Sequence, residues 1–135
     1  MKLLLDTNVI VDVLSRRDGH EPSIAVIRQC EIGKASGFIS ATTVTDVVYI
    51  LRKHIPPPNV REAVQTLLGI VDVAGVLKSD ISSALISRMR DFEDAVQAAC
   101  ALRIGAKYIV TRNLKDYVQS PVAAMSPDAV LEVLG

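Results

Sequence analysis

The chain reads as an α/β protein, a three-layer α/β/α sandwich built on a mainly parallel sheet of about five strands. Three observations predict this. Short apolar runs alternate with helical periodicities from one end to the other, the pattern of strands joined by crossover helices. The opening run Leu3-Leu4-Leu5 is apolar without alternation, as suits a strand buried on both faces. That run stops abruptly at Asp6-Thr7-Asn8 before a helical stretch. A carboxylate is thereby set at the carboxyl end of a strand, where open α/β sheets gather their ligands.

The elements follow in order. Lys2 to Leu5 is the first strand, and Val9 to Leu14 continues as a helix. Pro22 opens a second helix whose apolar side is Ile24, Val26, Ile27 and Cys30, with Gly33 near its end. Gly37 to Ser40 is a short strand. Thr42 to Lys53 carries Val44, Val47, Val48 and Leu51 at helical spacing despite the β-branching. Pro56-Pro57-Pro58 must break that helix, and Asn59 to Glu62 resembles a capping box opening another through Leu68. Ile70 to Val73 is strand-like. Ser79 or Asp80 is placed to cap a helix running to Arg90, and Glu93 to Arg103 forms the next, ended by Gly105. Lys107 to Val110 is the clearest late strand, Val122 to Met125 a short edge strand, and Ser126-Pro127-Asp128 starts a terminal helix. No linker, repeat or low-complexity tract interrupts the series, so residues 1–135 are expected to form one domain.

Composition narrows the function classes. Fifteen basic and fifteen acidic residues cancel, so no net positive field draws in a polyanion and any nucleic-acid contact must come from a local basic rim. Half the chain is apolar but only 4% aromatic, so packing is aliphatic. A mean hydropathy of +0.33 in a chain this short points to apolar surface buried between subunits. Cys30 and Cys100 lack a Cys-x-x-Cys spacing and read as buried free thiols of a reducing compartment. The start does not resemble a signal peptide, and no apolar run approaches the ~18 residues of a membrane span. A cytoplasmic protein with no membrane partner is expected.

The chemistry lies in the acids. Asp6 ends the first strand, and Asp46 follows Ser40 by six residues, about one and a half turns into the next helix. Asp91 and Asp94 are three apart, on one helical face if the helix begins early enough. Ala95, Ala98, Ala99 and Ala101 behind them let that helix approach the sheet closely. Asp116 comes within a turn of Thr111-Arg112-Asn113. Parallel topology collects all these strand ends at one rim. Two like charges ~4 Å apart repel by about 4 kcal/mol at an effective dielectric near 20, and a hard divalent cation with oxygen ligands, Mg²⁺ or Mn²⁺, relieves that. No His/Cys set suits zinc. Taken singly, Asp6 and Asp94 would also serve as helix caps, and Asp91 and Glu93 as solvated charge at a helix start.

Leu5-Asp6-Thr7-Asn8, the Ser40 to Asp46 spacing, Asp94-Ala95-Val96-Gln97-Ala98-Ala99 and Val110-Thr111-Arg112-Asn113 with Asp116 together resemble the PIN domain over nearly the whole chain. The resemblance implies an acidic pocket at the carboxyl ends of the sheet, Mg²⁺ or Mn²⁺ binding and cleavage of RNA. It also implies the role of toxin in a VapBC-type pair, with a small antitoxin protein as partner and a two-fold homodimer as assembly. Asp6 and Asp94 match the first and third acids. The second acid is usually Glu, and Asp46 is one methylene shorter. The fourth commonly stands where this chain has Asn113, with Asp116 as the alternative. Asp6, Asp46, Asp94 and Asp116 are therefore the expected catalytic acids and, with Asn113, the expected metal ligands; Asp91 and Glu93 support them. Arg112, Lys115, Thr111 and Asn8 are the expected substrate contacts.

Arg16 and Arg17 at the end of the first helix extend the same rim or simply complement the helix dipole. Arg52-Lys53-His54 reads as solvated surface, Tyr49 and Tyr117 as core or base-stacking rings, and His20 and His54 lack an acidic partner for general-base work. Two other readings stand beside the ribonuclease. One is a catalytically silent PIN-fold binding module, suggested by Asp46 and Asn113. The other is an aspartate-based phosphotransferase, which would need a second Asp near Asp6 where Asn8 stands.

Overall fold

The computed structural model describes residues 1–15 and 20–135. Arg16 and Arg17 lie outside the described residues. Strands β1 (Lys2–Leu5), β2 (Ser36–Ser40), β3 (Asp72–Ala74), β4 (Tyr108–Val110) and β5 (Ala124–Met125) form one sheet in the order β3-β2-β1-β4-β5. Every pairing is parallel. The order reverses direction at β1, so the crevice beside its carboxyl end is the topological switch point.

The first strand earns its central place by composition. Leu3, Leu4 and Leu5 are all fully buried, and successive side chains of a strand face opposite ways. Leu3 and Leu5 join a cluster with α1 (Thr7–Ser15), α2 (Glu21–Glu31), α3 (Ala41–Leu51), α4 (Pro57–Leu68) and α7 (Pro127–Leu134). Leu4 faces Ala98 and Ala101 of α6 (Phe92–Ile104), with Ile109 and Tyr117. The three layers follow directly. Helix α5 (Lys78–Leu85) packs chiefly on α6. The buried Asp80 there accepts from Arg103 Nε at 3.1 Å, and Arg103 also donates to the Gly75 carbonyl.

Three helix boundaries differ from the sequence reading. Helix α5 starts at Lys78 with Leu77, not Ser79 or Asp80, at its N-cap; Asp80 sits in the first turn and accepts from the Leu77 N–H at 2.9 Å. Helix α4 starts at Pro57 rather than through a box at Asn59. The fixed φ of proline is already helical and its missing N–H is one a first turn never uses, so the Pro56 carbonyl takes the first bonds, from Asn59 and Val60. Helix α5 ends at Leu85, short of Arg90. Asp91 is extended (φ −95°, ψ 125°) because it caps α6, and its carboxylate accepts from the Asp94 N–H at 2.9 Å. A continuous helix through Arg90 would forbid that cap. The carboxyl end of α6 is closed as expected by Gly105 at φ +75°. Ala106 N–H bonds Ala101 O and Gly105 N–H bonds Leu102 O, a Schellman motif. Cys30 and Cys100 are buried and free.

Gly37 lets β2 and α2 touch. A Cβ there would stand 2.8 Å from Cys30 Sγ and 3.0 Å from Val71 Cγ1. Gly37→Ala is expected to destabilise by about 1–3 kcal/mol through overpacking. Cys30→Ala in the same chain should recover much of that loss, seen as a urea midpoint above the sum of the single variants.

Candidate metal centre

Asp6 directly follows β1 and begins the turn into α1. Its N–H donates to Val110 O at 2.9 Å, and its carbonyl accepts from Val9 and Ile10 to begin the helix. The side chain is only 7% exposed. Oδ1 accepts from the Thr7 N–H at 2.8 Å and from Gln97 Nε2 at 3.3 Å. Oδ2 accepts from Thr111 Oγ1 at 2.8 Å and from Asn8 Nδ2 at 3.3 Å. Four donors thus hold one carboxylate, from α1, from α6 and from the residue after β4. Burial of the charge is tolerated because every bond to it is charge-assisted.

Further acids line the same crevice, whereas Asp46, expected among the ligands, is not one of its lining residues and stands behind Glu93. Helix α6 brings Asp94 beside Asp6, and Tyr117 donates to Asp94 Oδ1 at 3.3 Å. Burial, then the charges of Asp6 and Asp91, then that of Asp116 lift Asp94 to about 6, against the bond from Tyr117, which lowers it. Asp46 of α3 meets Glu93 in a carboxyl–carboxyl hydrogen bond. That bond, with burial and repulsion from Asp46, Asp91 and Asp94, raises Glu93 to about 7. Asp116 follows Asn113 in a 3-10 turn (Leu114–Tyr117). Asp6, Asp91, Glu93, Asp94, Asn113 and Asp116 line one cleft of about 350 Å³.

Asn8 and Thr111, expected as substrate contacts, are bonded to Asp6. Thr111 is fully buried, with its hydroxyl given to Asp6 and accepting from the Asn113 N–H at 3.0 Å. Asn8 bonds Asp6, Thr111 Oγ1 at 3.2 Å and the Arg112 N–H at 3.2 Å. Both position Asp6; Thr111 is closed off from solvent, whereas Asn8 also lines the cleft. Arg112 borders the cleft with Nη1 2.8 Å from Asp12 Oδ2, and Asp12 is itself 1% exposed. Lys115 lines a neighbouring cleft.

Sequence reasoning passed over Gln97 and Asp12 as site residues, and took Tyr117 as a core or base-stacking ring rather than a partner of Asp94. Gln97 carried a signal: it is the polar residue within an alanine-rich helical face, three positions after Asp94. Its amide also bonds Thr43 Oγ1 at 3.3 Å, which bonds Thr7 Oγ1 at 3.0 Å. Asp12, among Val9, Val11 and Val13, is a charge on an otherwise apolar helix, and such a charge needs a partner.

A family model of the PIN domain matches residues 2–115. The chain belongs to the PIN domain family. Comparison with curated proteins finds no match. Solved structures resemble it at low identity. The VapBC2 complex of Rickettsia felis, bound to a promoter DNA fragment, is 15% identical with a TM-score of 0.72, over 93% of this chain and 98% of that one. A toxin–antitoxin complex from Klebsiella pneumoniae is 22% identical with a TM-score of 0.71, over 93% and 97%. VapC20 of Mycobacterium tuberculosis, a Sarcin-Ricin loop cleaving toxin, is 16% identical with a TM-score of 0.63, over 79% and 86%. At these identities the common feature is the fold.

The PIN cleft suits a cation by its chemistry. No His or Cys lines it, the donors are oxygens, and the carboxylates crowd enough to retain protons near neutrality. Among the described residues no group of three or more His, Cys, Asp or Glu side chains is arranged to hold a metal ion. Mg²⁺ does not require such a group, since it keeps several waters and uses one or two carboxylates.

Free Asp and Glu titrate near ~3.9 and ~4.3. With Asp94 raised to about 6 and Glu93 to about 7, the metal-free folded protein holds protons that the unfolded chain has released. Stability from these groups is therefore full below about pH 4 and declines as pH rises through about 6 to 7. In EDTA the melting temperature is expected to fall across that range. Asp94→Asn and Glu93→Gln should each flatten the fall.

Proposed function

We propose that this PIN domain is a metal-dependent endoribonuclease that hydrolyses RNA phosphodiester bonds, the toxin of a toxin–antitoxin pair. The observation that carries the reading is the convergence of Asp6, Asp91, Asp94 and Asp116 on one crevice, where burial first and then the neighbouring carboxylate charges lift Asp94 to about 6. Mg²⁺ or Mn²⁺ would be held by Asp6, Asp94, Asp116 and Asn113 with water. Asp46 would act from the cleft's edge through Glu93. When bound, the cation activates a water and stabilises the leaving oxygen.

The chain's own residues set the geometry for this. Thr111, Asn8 and Gln97 hold the Asp6 carboxylate in one orientation. The two contacts at 3.3 Å are long enough to yield as an oxygen turns toward a cation. Tyr117 fixes Asp94 from below, and burial beside Asp6 and Asp94 keeps its phenol protonated, far above the usual value. Arg112 and Lys115 are placed to neutralise phosphate beside the acids. The toxin role, with a small antitoxin as partner, is supported by the resemblance to toxin–antitoxin complexes. A homodimer is supported by the exposure of Leu85, Ile86 and Val118 at 71%, 87% and 79%, apolar surface of the kind that partners cover. The cytoplasm is the expected place of action, and no described helix is long and apolar enough to cross a membrane.

One set of observations favours the silent binding module instead: Asp6 is already saturated by donors, and Asp46 and Asn113 replace longer or charged ligands. Calorimetry with Mn²⁺ separates the two, because a silent module gives no heat of specific binding. For the nuclease, RNA cleavage should require Mn²⁺ or Mg²⁺ and be lost in Asp6→Asn and Asp94→Asn. Thr111→Val should reduce it about 10–100-fold by loosening a ligand's support. Equal cleavage by wild type and both Asn variants would assign the activity to a contaminant. Mn²⁺ at 100 times Kd should add about 2.7 kcal/mol of stability. Sedimentation at micromolar concentration should give a dimer, and monomer alone would remove that part of the reading.

A further inference from the structure

A second cleft of about 430 Å³ adjoins the acidic one. Arg88 and Arg90, from the connection between α5 and α6, line it together with Lys115 and Gln119. It shares Asp91 and Asp116 with the acidic cleft, so the two are continuous across those walls. Among the described residues none of Arg88, Arg90 and Lys115 takes part in an ion pair, whereas Arg103 and Arg112 each hold a buried Asp. The chain is neutral as a whole, so three exposed cations without an ion pair, against two carboxylates in the same cleft, are a local positive excess with no structural task in the fold.

We propose that this cleft is a phosphate-binding track for single-stranded RNA, holding the phosphodiesters next to the one that reaches the acids. The inference rests on the ribonuclease reading. A carboxylate-lined cleft repels a polyanion, and zero net charge supplies no long-range attraction, so short-range interactions must hold the strand. Arg88, Arg90 and Lys115 are the cations that border Asp91 and Asp116 without a counter-ion of their own. The early end of α5 exposes this segment: an uninterrupted helix through Arg90 would remove both the cap at Asp91 and the turn that carries the two arginines. A volume of this order matches a small-molecule site and admits a short length of one strand. No aromatic side chain lines it, so it lacks stacking platforms. It grips the backbone and adds affinity without reading sequence.

The test uses a fluorescent single-stranded RNA oligonucleotide, with anisotropy read in EDTA over a salt series and cleavage kinetics read in Mn²⁺. Arg88→Ala/Arg90→Ala should flatten the log–log salt slope by about 1.4, since each phosphate neutralised on a single strand accounts for about 0.7. Lys115→Ala, from a different element, should flatten it by about half as much. Both should raise KM with kcat little changed, as expected when binding is removed equally from ground and transition states. Arg61→Ala on α4, which removes one charge outside both clefts, should leave slope and KM unchanged. Wild-type slope and KM in the Arg88/Arg90 and Lys115 variants, with cleavage intact, would overturn the track and leave the nuclease standing. An equal loss in Arg61→Ala would also overturn it, since the effect would then be one of overall charge. Failure of the wild type to bind or cleave RNA would overturn both.

Discussion

The Asp6 carboxylate is the point on which this structure turns. A buried charge is tolerated only where donors surround it, and here they come from elements far apart in sequence: Thr7 and Asn8 from the start of α1, Gln97 from α6, Thr111 from beyond β4. The same residue closes the β1–β4 ladder through its N–H and opens α1 through its carbonyl. Satisfying one carboxylate therefore fixes where α1 begins, how near α6 comes to the sheet and where the chain goes after β4. The fold and the site share one set of hydrogen bonds.

That arrangement creates a second problem. Once α6 is drawn in by its alanines, Asp94 stands beside Asp6, and Asp91 and Asp116 add to the repulsion. The fold relieves part of it without a metal. Asp91 spends an oxygen on the α6 cap, Tyr117 donates to Asp94, and Glu93 beside Asp46 is raised to about 7. What is left is a site that holds protons more readily than free carboxylates do, which is also a site whose protons a divalent cation would displace. In the proposed nuclease the empty cleft is thus the strained form and the loaded one the relaxed form.

Neutral composition conceals a segregated charge distribution. Two arginines are consumed by buried aspartates, Arg103 by Asp80 and Arg112 by Asp12. Removing either partner would leave an unpaired charge, and in a buried pair that costs more than the pair contributes. Arg88, Arg90 and Lys115 carry no such duty. The division between cations that hold the fold and cations free to meet a ligand does not follow from counting residues.

The sequence by itself determined the layered fold, and the reason is local. A non-alternating apolar run such as Leu3 to Leu5 has to be buried on both faces, and alternation with amphipathic helices leaves a parallel sheet as the way to do it. It also marked Asp6, Asp94 and Asp116, because a strand end, an alanine-lined helix and a Thr-x-Asn turn each announce themselves in a few consecutive residues. The start of α4 at Pro57 follows from proline's own fitness for a first helical turn, whereas the stop of α5 at Leu85 was decided by the cap that Asp91 gives α6, which local propensity does not weigh. Only tertiary structure brought Gln97 to Asp6, a separation of 91 residues. Only it turned Thr111 inward and paired Arg112 with Asp12. These partnerships depend on which side chains the packed sheet carries within about 3 Å of one another, and no local pattern encodes that distance.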